Sequence, residues 1–224
     1  MIAADEELGS RVAERARRAG VAVDAASAAR LAAYVALLHR WNARMNLTAL
    51  DAGDRGLDRL VVEPLVAARH LPRRGALIDI GSGGGSPAIP IKIANPGLKV
   101  RLVESKARKG AFLREAVRRL DLEETVVLSR RYEALTARSE LQEAHDVLTL
   151  RAVRVDAGVL QDLQAFVRSG GALAFFRADG PDDGLRDLPA PLVREAMHPL
   201  VDSLGSRLII VRKPDPSGTG DKPH

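Results

Sequence analysis

Cysteine is absent from all 224 residues, which removes disulfides, thiolate metal sites and any cysteine nucleophile from consideration. Aromatic residues make up only 3%, too few to build a stacking platform along a single nucleic-acid strand. No apolar run approaches the roughly 20 residues that a membrane-spanning helix needs. The first residues include Asp5, Glu6 and Glu7 and hold no apolar stretch of the signal-peptide type. The five histidines show no metal-ligand spacing, so no metal is expected. These gaps lead to the expectation of a soluble cytoplasmic protein with no membrane partner.

Hydrophobic residues reach 46%, enough for the core of one large α/β domain with an extension. Lys and Arg number 34 against 29 acids, a net charge of +5 with a pI near 9.9. That balance permits a polyanionic partner without requiring one. Basic residues recur in short groups, at Arg17-Arg18, Arg73-Arg74, Lys106 to Lys109, Arg118-Arg119 and Arg130-Arg131. From charge alone, phosphate contact and a solvated surface stand as equal alternatives.

The first fifty residues have helical spacing. Asp24 is placed to cap a helix from Ala25, with Leu31, Tyr34, Val35, Leu38, Trp41 and Met45 on one apolar face. Asp51 to Gly56 reads as a polar turn, and 58–71 as a further helix with Pro64 as a kink or boundary. From residue 76 the rhythm alternates. Strands are expected at 76–80, 99–104, 125–129, 146–150 and 172–177, with helices at 90–94, 106–120 and 155–167, the last ended by Ser169-Gly170-Gly171. Segments 192–197 and 207–211 suit a closing pair of strands, one antiparallel. The fold class expected is α/β: a doubly wound, mostly parallel sheet with an N-terminal helical extension. Its divisions would be residues 1–72 for the extension, 73–213 for the sheet domain and 214–224 for a flexible tail.

The most informative stretch lies at the end of the first expected strand. An apolar run reaches Asp79 and then turns through Gly81, Gly83, Gly84 and Gly85. Glycines in that arrangement bring bare backbone against a ligand. A dinucleotide site would need Gly or Ala where Ser86 stands, so the spacing reads instead as Asp-x-Gly-x-Gly-x-Gly. That pattern resembles the first motif of S-adenosylmethionine-dependent methyltransferases. Asp79 would face the ligand's ammonium or sulfonium, and Glu104, closing the next strand, would accept hydrogen bonds from the ribose hydroxyls. In open α/β sheets, ligands sit beyond the carboxyl ends of the strands. This brings together the glycine turn, Glu104, the Arg131-Tyr132-Glu133 segment and the Leu150-Arg151-Ala152 segment.

Four motifs then point to one family. Trp41-Asn42 followed by Asn46-Leu47-Thr48, the loop Asp79 to Pro90, Glu104-Ser105-Lys106 with Lys109, Phe112 and Leu113, and Asp146-Val147 with Arg151-Ala152 all resemble segments of one group. It is the bacterial small-subunit ribosomal RNA guanine-N7 methyltransferases, formerly called glucose-inhibited division protein B. The resemblance implies S-adenosyl-L-methionine as cofactor and 16S ribosomal RNA, or the small ribosomal subunit, as partner of a monomeric enzyme. It implies cofactor contacts at Asp79, Gly81, Gly83, Gly85, Ser86, Glu104, Tyr132, Glu133 and Arg151. Arg151 would also position the transfer, Arg151 and Arg177 would hold RNA, and Glu63 is a candidate carboxylate beside the methylated base. The alternative for Glu63 is a solvated surface group, and for Arg151 a salt bridge at a strand end.

The chain departs from the family pattern mainly on the substrate side. Leu60 replaces a His, Glu63-Pro64 replaces Asp-Ser, Ser86 replaces an apolar residue, Ala88 a Gly, Leu150 a Ser, and Arg177 a Lys. Two other functions therefore stay open: a methyltransferase of the same fold acting on a small molecule or protein, and a non-catalytic, cofactor-binding ribosome assembly factor.

Overall fold

The computed structural model describes residues 2–45, 47, 53–152, 154–180 and 184–216. Helix α1 spans Ile2–Arg18 and α2 spans Ala25–Met45. Asp24 caps α2 as expected, its Oδ1 accepting the Ser27 amide at 2.7 Å. The apolar face of α2 buries Leu31, Tyr34, Val35 and Leu38. Arg30, on the same helix, donates to the carbonyl of Leu120 at 2.7 Å and so ties α2 to the far end of a later helix.

Residues 54–68 form one broken helical segment: α3 (Asp54–Leu57), a π-helical turn (Asp58–Val62) and α4 (Glu63–Ala68). Of the turn expected over Asp51 to Gly56, Asp51 and Ala52 lie outside the described residues, and the remainder is corrected: Asp54 already starts a helix and Gly56 is buried within it. Pro64 does mark a boundary, since the π turn ends one residue before α4 begins.

Seven strands follow: β1 (Arg74–Ile80), β2 (Gly97–Val103), β3 (Thr125–Leu128), β4 (His145–Arg151), β5 (Val167–Ala178), β6 (Val193–Pro199) and β7 (Ser206–Arg212). They make one sheet in the order β3-β2-β1-β4-β5-β7-β6. The first five are parallel, and β7 lies antiparallel between β5 and β6. Helices α5 (Ala88–Ala94), α6 (Ala107–Arg119) and α7 (Ala157–Leu163) supply crossovers.

Successive strand residues point to opposite faces, and the core divides accordingly. Leu77, Leu102, Val147 and Ala174 face a cluster shared with Leu31 and Tyr34 of α2, Ile89 of α5 and Phe112 of α6. Ile78, Val103, Leu148 and Phe175 face a second cluster with Leu160 and Leu163 of α7. The N-terminal helices therefore pack into the main core on one face of the sheet. Trp41 joins them edge-on to Phe112, with ring centroids 5.7 Å apart. No helix among the described residues is long and apolar enough to cross a membrane.

One element is shorter than its pattern suggests. The helix expected over 155–167 stops at Leu163, a 3-10 turn covers Gln164–Phe166, and Val167 is already in β5. Ser169-Gly170-Gly171 is a bulge inside that strand rather than a helix end. The pairing jumps there from His145–Val167 to Val147–Ala172. A Cβ on Gly171 would lie 2.7 Å from Val167 Cγ1 and 2.9 Å from the Asp146 carbonyl, so only glycine fits this crossing.

Candidate cofactor site

The parallel register brings the strand ends to one level. Ile80 lies beside Val103 and Leu150, and Val103 beside Leu128. The glycine turn, Glu104, the segment after β3 and Arg151 therefore meet along one edge, as the sequence suggests. The turn is fixed to its neighbour: the amides of Gly81 and Ser82 both donate to the Val103 carbonyl at 2.9 Å. Gly81 (φ +73°) and Gly85 (φ +88°) occupy the left-handed region, which a side chain would strain. A Cβ on Gly85 would also approach Ile89 Cδ1 to 2.5 Å.

Two buried carboxylates flank this turn. Asp79 is 1% exposed. Its Oδ1 accepts the Thr149 hydroxyl at 2.6 Å, while Oδ2 is buried without a partner. Burial pushes its pKa up to about 6, against the hydrogen bonds and the Arg151 charge that favour ionisation. Glu104 is 6% exposed and already engaged. Its Oε2 accepts the Gly83 amide at 2.9 Å and its Oε1 the Lys106 amide at 2.7 Å. Each carboxylate oxygen retains a second lone pair for a ligand hydroxyl. The Lys109 ammonium lies over the turn, 3.9 Å from where a Cβ on Gly83 would stand.

Beyond β3, Tyr132 and Glu133 open a 3-10 turn (Tyr132–Leu135), with Tyr132 half-buried and Glu133 exposed. Arg177 sits at the end of β5, its guanidinium 5.5 Å from the ring centre of Phe175. Asp146, which belongs to the same motif as Arg151, lies at the opposite end of β4. There its Oδ2 accepts the Ala76 amide at 2.7 Å, which makes it part of the sheet rather than of the site. Asn46 and Thr48 fall outside the described residues.

Arg151 and Glu63 do come together, but they face inward. Glu63 has no exposed surface, which excludes a solvated role for it. It pairs with Arg59 four residues earlier and with Arg151 Nη1 at 3.4 Å. Arg151 Nη1 donates to the Arg59 carbonyl at 2.7 Å and Nη2 to the Ser86 carbonyl at 2.8 Å. Ser86 turns the same way, its hydroxyl donating to the Leu60 carbonyl at 2.8 Å. Burial works against the Arg151 charge and the Glu63 carboxylate supports it.

Sequence reasoning missed Tyr34 as a site residue. Its hydroxyl donates to the Gly84 carbonyl at 2.7 Å, so α2 holds the glycine turn directly. Complete burial drives its pKa far up, keeping it a neutral donor. Its helical spacing marked it only as a core residue. The available signal was that it is one of two tyrosines, a side chain whose hydroxyl needs a partner when buried.

The strand order, the antiparallel seventh strand and the acid-flanked glycine turn define the Rossmann-like fold of S-adenosylmethionine-dependent methyltransferases. A structure of a mutant MtNAS in complex with S-adenosylmethionine shares this fold at a TM-score of 0.56 and 14% identity, covering 85% of this chain and 79% of that one. A SAM-dependent methyltransferase from Aquifex aeolicus does so at 0.52 and 15% identity, covering 70% of this chain and 92% of that one. The family assignment is more particular. Residues 27–203 match the family described as rRNA small subunit methyltransferase G, and the chain belongs to that family. Ribosomal RNA small subunit methyltransferase G of Stenotrophomonas maltophilia is 41% identical over 177 residues, 77% of this chain and 79% of the relative. Its counterpart in Xanthomonas axonopodis pv. citri is 41% identical over 199 residues, 85% of this chain and 89% of the relative.

Proposed function

We propose that this protein transfers a methyl group from S-adenosyl-L-methionine to N7 of a guanine in 16S ribosomal RNA. The observation that carries the reading is the pair of buried acids about the glycine turn: Asp79, with one oxygen unpaired, and Glu104, with lone pairs to spare. Family membership directs that cofactor site toward ribosomal RNA. The residues fit the cofactor chemically. An unpaired, buried carboxylate oxygen calls for a cation or a donor, and the ligand has an ammonium and a sulfonium. Glu104 suits the ribose hydroxyls, and Tyr132 and Glu133 the edge of the adenine.

When bound, S-adenosylmethionine supplies an electrophilic methyl on sulfur. Guanine N7 has an in-plane lone pair and no proton, so the chain need supply no general base. Its contribution is alignment, which in favourable cases is worth roughly 7–11 kcal/mol. Arg151 and Glu63 serve that alignment from inside. Glu63 is held between two guanidinium groups, and Arg151 spans from the bulged helix to Ser86. RNA would be gripped by Arg177 and by exposed basic residues around the mouth, among them Arg108, Arg130 and Arg131. All of these come from one chain, so a monomer suffices. Incubation with labelled S-adenosylmethionine and deproteinised 16S RNA or small subunits, followed by mass spectrometry of the nucleosides, should yield 7-methylguanosine. Label recovered only in small molecules or protein would overturn the reading.

A further inference from the structure

Pro64 has no amide hydrogen, so the Leu60 carbonyl, four residues earlier, has no α-helical donor. The Arg59 carbonyl is bared as well, because the Glu63 amide reaches back five residues to Asp58 in the π turn. Buried carbonyls left this way are destabilising. Both are satisfied from the same direction. The Ser86 hydroxyl takes Leu60 at 2.8 Å, and Arg151 Nη1 takes Arg59 at 2.7 Å while its Nη2 holds the Ser86 carbonyl. Leu60 and Ser86 are both buried, so water does not replace the bond between them. Two of the chain's departures from the family pattern, a proline for a serine and a serine for an apolar residue, thus meet at one carbonyl.

We propose that Ser86 is a positioning residue coupled to Pro64: its hydroxyl fastens the cofactor turn to the bulged helix through the carbonyl that Pro64 leaves bare. The inference rests on the cofactor site proposed above. It assigns the Ser86 side chain to holding the turn in shape, with ligand contact left to the backbone around it. The coupling is specific. With an amide at position 64, the helix can serve Leu60 itself, and the Ser86 hydroxyl becomes dispensable.

The test is a double-mutant cycle on the full chain, read as the affinity for S-adenosylhomocysteine by calorimetry. Ser86→Ala should weaken binding about tenfold, the equivalent of about 1.4 kcal/mol. In a Pro64→Ala background the same change should weaken it less than twofold. Equal weakening in both backgrounds, or a Ser86→Ala protein that melts earlier yet binds as wild type does, would overturn the coupling. If Ser86→Ala does not fold, the isosteric pair Ser86→Thr and Ser86→Val makes the same comparison. Threonine should bind about tenfold tighter than valine only where Pro64 is present, and equal binding there overturns the proposal. A wild-type protein that gives no heat overturns the cofactor assignment along with it.

Discussion

Asp79 is the residue whose charge state most affects the site. A free aspartate ionises near 3.8, whereas buried Asp79 keeps its proton up to about 6. Between those values the native state binds more protons than the unfolded chain. This group therefore favours folding fully below pH 3.8 and loses that contribution as the pH rises through 6. At pH 7 the ionised, half-satisfied carboxylate represents a burden on the order of 3 kcal/mol. A cationic ligand group beside Oδ2 relieves it. Affinity for S-adenosylhomocysteine should therefore strengthen as the pH rises from 5 to 7. Asp79→Asn should flatten that profile and weaken binding at least tenfold at pH 7, both measured by calorimetry. A profile as steep in the variant would place the titrating group elsewhere.

Among the elements, α2 does more than cover the sheet. Tyr34→Phe leaves the partly buried Gly84 carbonyl without its 2.7 Å partner. The loss should be about 1–3 kcal/mol of stability, visible as a lower denaturant midpoint, and cofactor affinity should fall with it because the turn is loosened. An affinity unchanged by the substitution would confine Tyr34 to packing. The strands were legible in the sequence because their apolar runs alternate with helical spacing, and β1 and β2 end sharply at Gly81 and Glu104. The glycine turn was legible because four glycines behind an acid leave few other uses. The π turn at Asp58–Val62 was not, since the apolar residues Leu60, Val61 and Leu65 suit an α-helix equally well. The inward orientation of Arg151 and Glu63 was hidden for the same reason: it follows from carbonyls that the irregular turn exposes. Ser169-Gly170-Gly171 misled because a glycine pair after a helix is also how a helix ends, and here the tight crossing with Asp146 decides.

At the scale of the whole molecule, the excess of positive charge becomes useful only where it is exposed near the strand ends. Arg130 and Arg131 are exposed just before the Tyr132 turn. If they meet phosphate, replacing both with serine should reduce the salt slope of RNA binding by about 1.4, two contacts at about 0.7 each. Filter-binding titrations over a range of potassium chloride would show this, with S-adenosylhomocysteine affinity unaltered; an unchanged slope would remove these arginines from the interface. The packing of α2 has a consequence for how the chain is made. Tyr34 finds Gly84 only 50 residues later, and Arg30 finds Leu120 only 90 residues later. During synthesis Leu31, Tyr34, Val35 and Leu38 therefore have only α1 to cover them, through Val12 and Ala16, until about half the polypeptide has emerged, an interval in which a nascent chain is open to capture by chaperones or by its neighbours.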